Sequence, residues 1–294
     1  MTDPIHDLHL RPLVPDDIPF ADSLRALAGW NQTTADWRRF LQLDPHGCFL
    51  AEIKGRPAGT VTTSTHGLDL AWIGMVLVHP DLRRRGVGRA LLLHALEHLK
   101  RRGVRCIGLD ATPEGRKVYE PLGFNPTFTL TRWESRSLTP LRQPSRHPQT
   151  PGFRDVRASD HPELSQLDQA TFGVARPHLL DSLIRQSACA RVMEGAHRQI
   201  EGWGLLREGA RARYLGPVIA TSDAAGVRML EALLDTAAGH TVFCDIPDPR
   251  KAAIAWARRR GFTPQRSLTR MFLGTPILPA SPDALFAITG PELG

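Results

Sequence analysis

The sequence predicts an α/β protein built from two tandem copies of one fold. Three observations predict it. Residues 71–92 pass abruptly from a continuous apolar run, through a loop of glycines and arginines, into a helix. Strand-length apolar runs alternate with segments of helical spacing on either side. The second half of the chain then repeats residues of the first at nearly constant offset.

Leu8 to Val14 reads as a first strand, and Asp16 to Ala28 as a helix with Ile18, Leu24 and Leu27 on one side, stopped by Gly29. Trp30-Asn31-Gln32-Thr33-Thr34 leads to a second helix, Ala35 to Leu43, with Thr34 as its expected cap. Cys48 to Ile53 and Pro57 to Thr65 are two strands turned by Lys54-Gly55-Arg56. Ala71 to Val78 suits a strand buried on both faces. Val87 to Arg102 carries Leu92, Leu96 and Leu99 at helical spacing, a basic last turn and Gly103 as its stop. Val104 to Leu109 is a strand. Thr112-Pro113-Glu114 opens a short helix, threonine capping and proline at the first position, which carries Tyr119 and ends at Gly123. Phe124 to Glu134 is the last strand of this copy.

At 294 residues, 41% hydrophobic and 23% charged, the chain has the composition of a soluble globular protein with room for two domains. No apolar run approaches a membrane span, and the first residues lack the basic and apolar regions of a signal peptide, so a cytoplasmic address without a membrane partner is expected. Cys48, Cys106, Cys189 and Cys244 are far apart and read as reduced core thiols. The net charge is +7, but no basic tail exists and the densest cluster, Arg83 to Arg85, lies in the glycine loop. That distribution favours a polyanionic small molecule over nucleic acid.

The loop itself offers consecutive backbone N–H groups and a positive helix end, the requirements of a phosphate site. It is neither a complete dinucleotide fingerprint nor a P-loop. Val78-x-Pro80-x-x-Arg83-x-x-Gly86-x-Gly88 resembles the acetyl-CoA signature of the GCN5-related N-acetyltransferase (GNAT) superfamily, and Tyr119-x-x-x-Gly123-Phe124 resembles it a second time. The resemblance implies tandem acyl-CoA N-acyltransferase folds, each a mixed central sheet flanked by helices. It implies acetyl-CoA as cosubstrate, no metal, and a primary amine of a small molecule or peptide as acceptor. Arg83, Arg84, Arg85, Gly86, Val87, Gly88 and Arg89 would meet the pyrophosphate. The free backbone of Val76, Leu77 and Val78 would pair with the pantetheine arm as an added strand does, one amide polarising the thioester carbonyl. Tyr119 would protonate the departing thiolate, and Trp30, Asn31, Gln32 and Trp37 fall at the acceptor cleft. Pro113 stands where the superfamily often has a pantetheine-binding asparagine, which puts that contact in doubt.

Each assignment has a plainer alternative. Tyr119 also reads as a packed aromatic and the tryptophans as core. A rival function is a non-catalytic acyl-CoA-binding sensor or scaffold. The general base is open among Asp110, His79, Asp69 and a remote carboxylate reached through water. His94-x-x-Glu97-His98 matches an inverted zinc-hydrolase motif without a third ligand.

Shifted by 138, Gly123, Phe124, Pro126, Leu130, Thr131 and Arg132 recur as Gly261, Phe262, Pro264, Leu268, Thr269 and Arg270. Arg11, Asp17, Pro19 and Leu24 recur as Arg154, Asp160, Pro162 and Leu167. The proline-rich stretch between the copies reads as a linker, which divides the chain into residues 1–137, 138–152 and 153–294. The second copy's loop is two residues shorter, with one glycine and no arginine, and Ala257 stands for Tyr119. A degenerate, non-catalytic second copy is expected. Beside the superfamily pattern the first copy also lacks a final hairpin strand, one that Ala284 to Thr289 could supply by crossing over.

Overall fold

A computed structural model describes residues 7–136, 152–275 and 277–294; the expected linker lies almost wholly outside them. The first copy runs β1 (Leu8–Pro12), α1 (Ile18–Leu27), α2 (Thr34–Leu43), β2 (Phe49–Ile53), β3 (Arg56–His66), β4 (Leu70–Val78), α3 (Val87–Arg101), β5 (Cys106–Ala111), α4 (Pro113–Tyr119) and β6 (Asn125–Ser135). The second repeats this order as β7 (Phe153–Asp155), α5 (His161–Phe172), α6 (Pro177–Gln186), β8 (Ser187–Glu194), β9 (Ile200–Arg207), β10 (Arg213–Ala220), α7 (Asp223–Asp235), β11 (Val242–Pro247), α8 (Lys251–Arg259) and β12 (Thr263–Gly274), and adds β13 (Leu285–Ala287). The first residue of α2 is Thr34, so its cap is Thr33, whose N–H and hydroxyl both donate to Asp36, at 2.7 and 2.9 Å.

The strands among the described residues form one mixed sheet, ordered β1-β2-β3-β4-β5-β12-β6-β11-β10-β9-β8-β7, with β13 on β10. Read from either edge, the copies run alike until their fifth strand, and each then takes its next strand from the other. β5 pairs with β12 from Ala111↔Thr269 to Cys106↔Gly274, and β11 pairs with β6 from Val242↔Ser135 to Pro247↔Leu130. β6 and β12 also pair with each other. A crossing strand therefore completes the first copy, but it is β12 and not residues 284–289. The twelve-residue β12 pairs with β6 between Thr263 and Phe272 and with β5 from Thr269 to Gly274, whereas the late segment contributes the three-residue β13 to its own copy.

The repeated residues do repeated work. Arg132 of β6 donates to Asp245 of β11 at 2.9 and 2.6 Å, and Arg270 of β12 donates to Asp110 of β5 at 2.9 and 2.8 Å. Each bidentate pair joins one copy to the other inside the sheet. Near the edges, Arg11 grips Asp17 at 2.7 and 2.8 Å, and Arg154 grips Asp160 at 2.6 and 2.9 Å. These arginines hold both aspartates below the usual carboxylate range, against the effect of burial. The cores are shared as well. α1 and α2 contribute Leu24, Trp37 and Phe40 to a cluster with Leu179 and Leu183 of α6 and Trp203 of β9. Trp37 is fully buried there and belongs to the core.

Candidate active site

β4 and β5 pair in parallel only from Leu70↔Cys106 to Trp72↔Gly108. Beyond that point they diverge, because β4 carries a bulge: Thr62 faces Gly74 and Thr60 faces Leu77, leaving Val61 opposite both Met75 and Val76. Met75 takes a left-handed φ of 49°, and its carbonyl accepts the Thr60 hydroxyl at 2.9 Å. The turned edge, Val76 to Val78, opens on a cleft of about 950 Å³.

The loop closes one end of that cleft. Arg83 Nε donates to the Val78 carbonyl at 3.2 Å, and Gly86 caps α3 at φ 87°, a conformation that disfavours a side chain. Val87 is mostly buried and still contributes to the cleft wall. Arg83, Arg84, Gly86, Gly88 and Arg89 line the cleft beside Val76, Leu77 and Val78. Arg85 is exposed and does not line it.

Tyr119 closes a second wall. The Thr112 hydroxyl accepts the Gly115 N–H at 3.0 Å and starts α4, as the threonine and proline predict. The Tyr119 ring leans on Phe124 at 5.9 Å between centroids and on Gly115, where a Cβ would come within 3.0 Å of it. Its hydroxyl has no partner among the described residues, and burial pushes the phenol up to about 12, so it stays neutral and able to donate.

The remaining end is built by both copies. Trp30 and Gln32 line it. Asn31 differs: its Nδ2 donates to the Ala212 carbonyl at 2.9 Å, and its Oδ1 accepts the N–H groups of Arg211 and Ala212 at 2.9 and 3.0 Å. These three bonds all go to the β9–β10 turn, so Asn31 clasps the copies together and does not line the cleft. The chain after β13 returns to the first copy. Trp72 Nε1 donates to the Pro291 carbonyl at 2.9 Å, and Gln32 Nε2 to Glu292 Oε2 at 2.7 Å. Gly74 is glycine because a Cβ there would lie 2.9 Å from the Glu292 carbonyl. Arg176, paired with Asp168 at 2.7 Å, holds the segment through the Leu293 carbonyl at 3.1 Å and the Thr289 hydroxyl at 2.8 Å.

Glu292 thus lines the cleft, and no sequence signal marked it, since it stands 260 residues from Gln32 outside any motif. Of the other bases considered, Asp110 is committed to Arg270, Asp69 pairs with Arg105 at the surface, and His79 accepts the Asp81 N–H at 3.4 Å beside the loop. His94 and His98 meet the Phe49 ring edge-to-face, at 4.5 and 5.3 Å between centroids.

The second copy opens in the same way and is filled. β10 and β11 pair only at Arg213↔Val242 and Tyr214↔Phe243. β13 lies in the gap beyond, paired with β10 at Val218↔Ala287 and Ile219↔Leu285, while Ile288 N–H donates to the Asp245 carbonyl at 3.0 Å. Phe286 is fully buried against Gly226, where a Cβ would strike its ring. Asp223 puts a carboxylate in the first turn of α7, and Ala257 is buried where Tyr119 would stand.

Residues 18–124 match the acetyltransferase (GNAT) family, and residues 164–287 match the acetyltransferase (GNAT) domain. The chain belongs to the GNAT acetyltransferases. GNAT proteins generally take acetyl-CoA as cosubstrate. The uncharacterised N-acetyltransferase YitH of Bacillus subtilis is 27% identical over 164 residues, 56% of this chain and 56% of YitH. The chain spans about half the length of the curated relatives it matches. A putative acetyltransferase from Pyrococcus horikoshii superposes with a TM-score of 0.83 at 25% identity, over 98% of this GNAT chain and 96% of that one. A tandem GNAT protein from the clavulanic acid biosynthesis pathway shares the fold, with a TM-score of 0.64 at 17% identity over 92% and 99%. No helix among the described residues is long and apolar enough to cross a membrane.

Proposed function

We propose that this GNAT protein moves acetyl from acetyl-CoA to a primary amine of a small molecule or peptide. Residues 1–137 supply the donor site, and residues 153–294 complete the sheet and the acceptor end without a donor site of their own. The observation that carries the reading is one cleft joining the free Val76–Val78 edge, the capped N-terminus of α3 and the Tyr119 hydroxyl. The loop amides and the arginines suit a pyrophosphate, and the strand edge suits a pantetheine arm. Acetyl-CoA supplies the activated thioester. A Val76–Val78 amide polarises the carbonyl, and Tyr119 gives its proton to the sulfur.

Free-thiol release from acetyl-CoA against a panel of amines tests the proposal. A sensor or scaffold binds the thioester without releasing thiol with any amine, and that result would overturn the transferase reading. Tyr119→Phe is expected to lower kcat by roughly 100-fold with acetyl-CoA affinity nearly unchanged. Full turnover in that variant reassigns Tyr119 to packing.

Calorimetric titration is expected to find one acetyl-CoA per chain. The support is β13, which holds the backbone groups that a second pantetheine would need, together with the shortened loop, which has one glycine and no arginine. Two equivalent sites per chain would contradict it.

A further inference from the structure

The cleft presents two charged side chains that make no close ion pair among the described residues, and both come from the second copy. Glu292 is buried and accepts one side-chain hydrogen bond, from the neutral amide of Gln32. Arg266 of β12 lines the same cleft, and its buried Nε has no hydrogen-bond partner. Neither makes an ion pair within 4.0 Å among the described residues, not even with the other. Elsewhere in this interior Arg132 pairs with Asp245, Arg270 with Asp110 and Arg176 with Asp168, while buried Arg207 spends its donors on the Gly216 and Thr289 carbonyls. A buried charge without a partner is costly unless something else satisfies it, and a cleft is where a ligand does so.

We propose that the acceptor is a primary amine bearing a neighbouring carboxylate or phosphate, with Glu292 receiving the ammonium and Arg266 the anion. This rests on the transferase reading above and names its substrate class. Glu292 takes one proton from the ammonium and later passes it to water. The freed nitrogen forms the N–C bond to the acetyl carbon as the C–S bond breaks, and the leaving sulfur takes the Tyr119 proton. The second proton shed by the nitrogen restores the phenol through water. The products are the amide, the free thiol and one proton.

The surroundings suit this role. Burial pushes the Glu292 carboxyl up, Arg207 pulls it down and Asp36 pushes it up again, the net result lying above the ordinary value. The charged and titratable groups of its neighbourhood are Asp36 and Arg39 from α2, Arg132 from β6, Arg207 from β9, Tyr214 from β10 and Arg266 from β12. A base acts only when deprotonated, so activity rises with pH through this raised value. Burial and the neighbouring Arg132 bring the Arg266 guanidinium down to about 10, which leaves it charged at neutral pH.

Thiol release with paired acceptors tests the proposal: alanine against ethylamine, phenylalanine against phenethylamine, and O-phosphoethanolamine as the phosphate arm. The anion-bearing members are expected to show at least tenfold higher kcat/KM, and the carboxylate and phosphate arms separate the two anions. Arg266→Gln is expected to raise KM for the preferred acceptor at least tenfold, with acetyl-CoA affinity by calorimetry unchanged. Glu292→Gln is expected to lower kcat by roughly 100-fold and abolish the acid limb of the pH profile, which Glu292→Asp partly restores. If Glu292→Gln fails to fold, the paired-acceptor ratio and Arg266→Gln decide. Equal turnover of the anion-free partners, or a Glu292→Gln profile like the wild type, overturns the assignment and leaves the transferase reading standing. Acetyl-CoA binding with no amine in any arm turned over sinks both.

Discussion

Gly88→Val is expected to lower acetyl-CoA affinity by at least roughly 100-fold, about 2.8 kcal/mol, while leaving the protein folded. Gly88 is the second residue of α3 and lines the cleft, where a Cβ would sit 3.4 Å from Val78 Cγ2, an ordinary contact. The first carbon is therefore tolerated, and valine costs a helix less than glycine does. Its two methyl groups, however, stand where a pyrophosphate must approach the first turn of the helix. Gly88→Ala should then bind nearly as the wild type does. Calorimetric titration beside a thermal melt checks both variants, and unchanged affinity in folded Gly88→Val would remove the loop from the donor site.

Asp245→Ala is expected to cost about 3–5 kcal/mol of stability, a large share of the 5–15 kcal/mol of an ordinary domain. The substitution leaves the Arg132 guanidinium, 3% exposed, without its carboxylate and beside the rings of Tyr214 and Phe243. The Tyr214 hydroxyl also loses a bond of 3.0 Å. Replacing both partners, as Arg132→Met with Asp245→Leu, should recover much of the loss, because no lone charge then remains. Burial raises the Asp245 carboxyl, but Arg132, with Arg266 and the Tyr214 hydroxyl behind it, holds the group below its ordinary value. The stabilisation this gives is present above the unfolded aspartate value near 4 and is lost as pH falls through the depressed folded one. Urea unfolding at neutral pH and at pH 3 reads both effects, and an Asp245→Ala midpoint equal to wild type would show that the exchanged strands do not depend on the pair.

Features written in consecutive residues were legible beforehand. The strand, loop and helix over residues 70–101 announce themselves through an apolar run, the loop glycines Gly86 and Gly88 and a leucine stripe, and the site wall they form follows. Strand partnership was not legible in the same way. β6 and β12 carry nearly the same Gly-Phe and Leu-Thr-Arg signature, so either can pair on β5 or β11, and an alternation of side chains says which face is buried but not which neighbour is chosen. The repeat thus revealed the duplication and concealed the exchange. Asn31 shares with Trp30 and Gln32 the place between the first two helices that marks the cleft, but its amide turns toward Ala212. Glu292 was invisible because its place depends on how β13 threads the second copy, a contact between segments with no shared pattern.

The exchange of β6 and β12 has a consequence on the ribosome. Asp110 waits for a partner 160 residues further along the chain. At about 5–20 residues per second, β5 stands as an open sheet edge for roughly 10–30 s of synthesis. β6 has already emerged by then, and it carries an arginine equivalent to the one awaited. The nascent first copy can therefore close temporarily on its own β6, in a register that the finished molecule must undo. Newly made chains are accordingly most open to mispairing with one another, as swapped oligomers joined through β5, during the interval before residue 263 leaves the exit tunnel.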